Sequence, residues 1–304
     1  MKNQKIKGNL LLLLTAFVWG TSFIAQSKGV EIIPPAAFIG VRSIIGGIVL
    51  LPVIFVIDYV KKKRGEEVYK WDKSLLIGGF ACGVFLCVAS TLQTAGMVYT
   101  SPGKAGFITA LYMIIIPIIG IFTGKRPSKA VLIAVVIAVI GMYLMCINGD
   151  ISINKGDVII FACAFVFAGH ILTVDHFSPK VDGAKLACMQ FFVCGILAFV
   201  YSMLFEHPQI APVWDARLSL LYSGVMSCSV AYTLQIVGQK YTDPTSASIL
   251  MSLESVFSTL STVVLVACGW HLTGGAMTAR EIWGCVFMFA AILLVQLPEK
   301  QTDL

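Results

Sequence analysis

Three charged side chains stand inside long apolar stretches. Glu254 sits in SILMSLESVFSTLSTVV, Arg42 in FIGVRSIIGG, and Lys104 directly follows Ser101-Pro102-Gly103. On insertion scales an ionised group at the centre of a bilayer costs about 2.5–3.5 kcal/mol, so such residues mark substrate, ion or proton sites. Glu254 could take a proton or a cationic group. Its alternative is a protonated carboxyl shared between helices. Arg42 could clamp a carboxylate or phosphate through its planar fork, or pair with Glu254 or helix carbonyls. Lys104 either faces a cavity or snorkels to the surface. At about 100° per residue, Glu254, Ser258 and Ser261 share one stripe of a helix, with Ser248, Ser252, Ser255, Thr259 and Thr262 beside it. A face so rich in hydroxyls belongs against a cavity or a helix interface. Trp19 and Tyr112 offer aromatic surface to a solute, or pack in a core or at the membrane interface.

Other chemistries find no foothold. The nine cysteines lie in apolar runs without a CxxC pair, and His170, His176, His207 and His271 show no ligand spacing. The histidines read as loop or helix-end residues. There is no GxxxxGK[ST], HExxH or GxSxG, so no ATP motor, metal site, cofactor or catalytic residue is expected, and an enzyme is not the reading. The basic residues sit in short loops between apolar runs, which suits a cytoplasmic membrane surface and not nucleic acid.

The elements that must carry these residues follow from composition. Of 304 residues, 58% are hydrophobic and 12% charged, against about 25% charged in a soluble domain. A bilayer core takes about 20 apolar residues as helix. Ten such runs recur, at 9–28, 36–57, 74–98, 104–123, 129–148, 156–175, 183–205, 218–238, 245–268 and 279–297. Lys2, Lys5 and Lys7 before Leu10–Phe17 resemble a signal peptide, but no small-x-small cleavage site follows, so a retained first helix is expected. Pro117 should kink the fourth helix. With the N-terminus inside, 16 of the 22 Lys and Arg residues fall in inside loops. The positive-inside bias therefore gives N-in, C-in and an even number of spans.

The chain also repeats. Leu92–Pro102 (LQTAGMVYTSP) matches Leu234–Pro244 (LQIVGQKYTDP) at six of eleven positions without a gap. At a slightly different offset, Ala16-Phe17-Val18-Trp19-Gly20 aligns with Ala164-Phe165-Val166-Phe167-Ala168. Two five-helix units result, 8–148 and 156–297. Five is odd, so the second unit enters the membrane from the opposite side. Inverted pairs of this kind recur in secondary transporters, with the solute site near the midplane between the repeats.

With these residues in view, the chain resembles the EamA-type transporters of the drug/metabolite transporter superfamily. The cues are FVWGTSFIAQ at 17–26, PPAAFIGVRS at 34–43, YTSPGKAGFITALYMIIIPIIG at 99–120 and YTDPTSASILMSLESVF at 241–257. The resemblance implies an all-α membrane protein of ten transmembrane helices in two inverted repeats, in the cytoplasmic membrane. It implies carriage of amino acids, other metabolites or drug-like compounds, with export the commoner expectation, and roles for Trp19, Arg42 and Glu254. Ser255 stands where the family often has Pro, which implies a straighter ninth helix. Lys125 and Trp270 stand where it often has an acidic residue. The expected partners are a small solute, membrane lipid and a coupled proton. The rival reading is a polytopic scaffold or sensor that transports nothing.

Overall fold

The structure is a computed structural model and describes residues 2–100, 102–124, 127–147, 153–269 and 278–296. Lys125, Trp270 and His271 lie outside them. Among the described residues every regular element is helical. Hydrocarbon offers no water to the backbone, and a helix satisfies each amide within its own segment.

Helices α1 (Lys2–Val30), α2 (Pro35–Lys63) and α3 (Lys73–Met97) come first. The fourth apolar run is divided into α4 (Pro102–Thr109) and α5 (Tyr112–Phe122), and α6 (Lys129–Cys146) follows. Then come α7 (Lys155–Phe177), α8 (Gly183–Phe205) and the short α9 (Ile210–Asp215). The eighth run joins α10 (Arg217–Tyr222), a π-helical stretch Ser223–Tyr232 and α11 (Thr233–Gln239). The ninth is divided into α12 (Pro244–Met251) and α13 (Glu254–Ala267), and α14 (Ala279–Gln296) is the last. Among the described residues, eight helical segments are long and apolar enough to cross a membrane. This is a multi-pass membrane protein.

Side chains close the helix starts. Asp72 accepts from the Leu75 amide, Ser128 from Val131, Asp182 from Ala184 and Lys185, and Asp243 from Ser246. Asn154 and Asp157 form a reciprocal capping box. Amides at a helix start have no carbonyl within the helix, so a local acceptor is the least costly partner near lipid.

The fourth and ninth runs are interrupted alike. The Leu111 amide reaches Ile108 O and the Met113 amide reaches Ala110 O. In the other run the Leu253 amide reaches Leu250 O and the Ser255 amide reaches Ser252 O. Both are tightened turns of 3₁₀ type. The first interruption is at 110–111, while α5 continues through Pro117, so the proline is not where the helix gives way. The ninth helix is likewise interrupted despite Ser255. Backbone tightening supplies there what a proline was expected to supply.

Helices α2 and α8 pack along their length and are clasped at both ends. At one end Glu206 accepts from the Ala36 and Ala37 amides at 3.0 Å and from the Ser202 hydroxyl at 2.8 Å. At the other, Lys61 pairs with Asp182 at 3.0 Å and Lys185 with Asp58 at 2.8 Å. Helices α6 and α14 cross at Gly141 and Gly284, each meeting the other's backbone. A Cβ on Gly141 would lie 2.8 Å from Gly284 O, so only glycine permits this approach.

Burial alone would raise the Asp182 carboxyl. The Lys61 ammonium and the Lys185 and Ala184 amides outweigh it and hold the group below the usual carboxylate range. A carboxyl lowered by folding stabilises the fold above its unfolded pKa of about 3.9, and that contribution fades as pH falls through the folded value. Asp182→Asn keeps a capping oxygen but removes the charge. It should lower the melting temperature in detergent at pH 7 by about 2 °C or more, and the gap from wild type should close as pH falls below about 4. A gap that is constant with pH would refute this role.

Candidate functional site

A pocket partly open to the outside lies among the helices, with about 550 Å³ of atom-free space when its mouth is counted. From α1 it takes Trp19, Ser22, Phe23 and Gln26, an i, i+3, i+4, i+7 stripe on one helix face. From α7 it takes Phe167, His170 and Ile171, the same stripe one residue shorter. In the alignment that pairs Trp19 with Phe167, Ser22 falls on His170 and Phe23 on Ile171. Gln93 of α3 and Gln235 of α11 also line the cavity, and they are the matched glutamines of the two LQ segments. Carried on without a gap, that register pairs Tyr112 with Glu254. Each is the first residue after its tightened turn, and both line the cavity.

The duplicated positions make the wall, and their divergence makes its chemistry. Tyr112 is a phenol where Glu254 is an acid, and Ser22 is a hydroxyl where His170 is an imidazole. Arg42 enters from α2, Thr109 from the end of α4, and Ser227 and Tyr232 from the π-helical stretch. Such stretches widen a helix locally and recur at functional sites. The Ser229 hydroxyl donates to Gly46 O at 3.0 Å and to Gly224 O at 3.1 Å, which ties the widened stretch to α2.

Arg42 is 5% exposed. Its guanidinium donates to Gln26 Oε1 at 2.8 Å and lies 5.6 Å from the Phe38 ring centroid, while its Nε has no partner among the described residues. Glu254 is 6% exposed and has no hydrogen-bond or ion-pair partner among the described residues. The two do not pair with each other. Trp19 Nε1, Tyr112 Oη and Gln235 Oε1 are likewise buried without partners among the described residues. Buried polar atoms are otherwise nearly always bonded, so a cluster of unmet ones around a cavity is ready for a polar occupant. Trp19 meets Tyr232 edge-on at 4.7 Å, and the Tyr232 ring also contacts His170 and Phe191, giving the cavity an aromatic flank.

Of the residues singled out by sequence, Trp19, Arg42, Tyr112 and Glu254 meet here. Ser258 does not line the cavity; its amide backs onto Gly20 of α1. The hydroxyls of Ser248, Ser252, Ser255, Thr259 and Thr262 all donate to carbonyls three or four residues back along the chain. They satisfy themselves locally, so that face packs against neighbours without lining the cavity. The backbone of Lys104 is in α4, and its side chain lies outside the described residues. His170 corrects the expectation for histidines. It is buried at mid-helix, with Nε2 3.1 Å from Gln190 Oε1. Gln26, Gln93 and Gln235 had drawn no notice, although the last two are matched positions of the repeat. Among the described residues no cluster of ligands could hold a metal ion.

Gly20 lets α1 close on the turn that presents Glu254. A Cβ there would lie 2.7 Å from the Glu254 carbonyl oxygen and 2.8 Å from the Ser258 nitrogen. Overpacking of this kind costs about 1–3 kcal/mol. Gly20→Leu should therefore lower the melting temperature by about 2 °C or more. Ser22→Ala, whose hydroxyl bonds only to Val18 O, should leave it nearly unchanged. An unchanged melting temperature in Gly20→Leu would mean that α1 and α13 are not so closely packed.

Known proteins place this geometry. A protein of Archaeoglobus fulgidus named as an uncharacterized transporter is 28% identical over 97% of this chain and 87% of its own length. The Bacillus subtilis protein named uncharacterized transporter YoaV is 21% identical over 95% of this chain and 96% of its own. A crystal structure 19% identical in sequence superposes with a TM-score of 0.73, covering 95% of this chain and 96% of the other, which establishes the shared fold. The EamA-like transporter family matches residues 6–147 and again 154–297, and the chain belongs to that family.

Proposed function

We propose that the chain is a secondary carrier that exports small polar metabolites across the cytoplasmic membrane by alternating access. It does no covalent chemistry on them. The observation that carries this reading is the cavity, walled by matched positions of two repeats and holding a carboxyl with no partner among the described residues. In this reading ten helices span the bilayer, as two inverted five-helix units at 8–148 and 156–297, with both termini inside. The end contacts support that arrangement. Thr242 bonds to Asn9, and Lys61 to Asp182, between segments assigned to the inside. Thr100 bonds to Asp157, and Glu206 caps α2, between segments assigned to the outside.

Glu254 takes a proton or the cationic group of a solute, and Arg42 meets an anionic group. The pair suits a zwitterion such as an amino acid. The halves are clasped through α2 and α8 at both ends, so rocking one half against the other would break two ion pairs and the Glu206 cap. Bending at the tightened turns before Tyr112 and Glu254 leaves those clasps intact. The two turns are therefore the moving parts, and each carries a cavity residue with it.

The test is untargeted mass spectrometry of the medium around cells expressing wild type, Glu254→Gln or Arg42→Ala at matched membrane levels. A compound enriched outside wild-type cells should fall about tenfold or more with either variant, in keeping with loss of a buried charged contact. Export that is unaffected by both variants would rule out this site. No compound enriched by wild type, together with no uptake in the converse assay, would favour a scaffold.

A further inference from the structure

Lys185 is 1% exposed, which an ammonium tolerates only when its protons are taken up. It rises from the first turn of α8, pairs with Asp58 of α2 at 2.8 Å and donates to the Tyr69 carbonyl. Lys61, itself paired with Asp182, lies 5.8 Å from the Tyr69 ring centroid. Two lysines thus hold the loop after α2 against the α2–α8 pair. The loop in turn carries Lys70 and Trp71 to fixed places.

A groove of about 1060 Å³ of atom-free space lies between this loop and the last turns of α2. Its floor is graded. Phe55, Tyr59 and Lys62 follow one another at i, i+4, i+7 on α2, so apolar, amphipathic and cationic surface succeed each other toward the helix end. Phe55 is 73% exposed, as a side chain facing hydrocarbon would be. Trp71, 48% exposed on the opposite wall, is a residue type that settles at the headgroup level. The charge is unbalanced. Asp58 is taken up by Lys185, while Lys62 and Lys70 have no carboxylate partner among the described residues. Glu66 and Glu67, in the same loop, do not line the groove.

We propose that this groove binds an anionic phospholipid, its phosphate between Lys62 and Lys70 and an acyl chain along Phe55. Basic pockets at the cytoplasmic ends of membrane helices suit such headgroups. The inference rests on the chain lying in a membrane and is independent of what the central cavity carries.

The experiment is a lipid titration of the purified full-length protein in detergent, followed by native mass spectrometry. Phosphatidylglycerol is compared with phosphatidylcholine of the same chains. Wild type should bind the anionic lipid about tenfold more tightly or better. The double variant Lys62→Gln/Lys70→Gln should lose that preference with an unchanged melting temperature, and Lys5→Gln/Lys7→Gln should keep it. The proposal is overturned if wild type shows no preference, or if the preference survives in Lys62→Gln/Lys70→Gln. It is also overturned if excess inorganic phosphate displaces the lipid fully, which would make the groove a site for a soluble anion.

Discussion

Surrounded by lipid, a polar group must be answered from within the protein or face a cavity, and the rest of this structure follows from that requirement. Backbone amides are answered by helix formation and by the caps at Asp72, Ser128, Asn154, Asp182 and Asp243. Five hydroxyls of the ninth span, on Ser248, Ser252, Ser255, Thr259 and Thr262, are answered by carbonyls three or four residues back along the chain. Lys185 is answered by Asp58 and a carbonyl. Among the described residues, half of the buried side-chain atoms left without a partner face the cavity, Arg42 Nε, Trp19 Nε1, Tyr112 Oη and Gln235 Oε1, and the Glu254 carboxyl faces it with them.

The way the site is built explains how one duplication yields an asymmetric pocket. Matched positions supply equal geometry from both halves, so the wall closes without special loops. Substitution within the matched pairs then places an acid on one side and a phenol on the other. The tightened turns add something a straight helix lacks, because they set Tyr112 and Glu254 at the start of a new helical segment. The clasped α2–α8 pair, with one helix from each half, keeps the frame around them in register.

Much of the architecture was legible in the sequence. The apolar runs coincide with helices because length and hydropathy are the signals a bilayer itself imposes. Trp19, Arg42, Tyr112 and Glu254 were legible because each is conspicuous in an apolar setting. Three things were not. The hydroxyl stripe around Ser258 left a cavity wall and a helix interface equally open, because helical periodicity does not tell a hydroxyl bonded to its own backbone from one that faces a solute. The tightened turn before Tyr112 was not legible either, because no proline or glycine marks its backbone hydrogen bonds. His170, Gln93 and Gln235 are not residue types that always carry charge, so charges standing in apolar runs do not single them out. The alignment of the two halves holds that information, since it places each beside a partner in the same wall.

The most direct test is the accessibility of the Glu254 position. In a chain otherwise free of cysteine, Glu254→Cys is reconstituted in vesicles and exposed to a membrane-impermeant thiol reagent from one side or the other. The account predicts modification from each side separately, since the cavity opens to each face in turn. Failure to react from either side, while a lipid-soluble reagent succeeds, would contradict it and leave Glu254 as a buried structural acid.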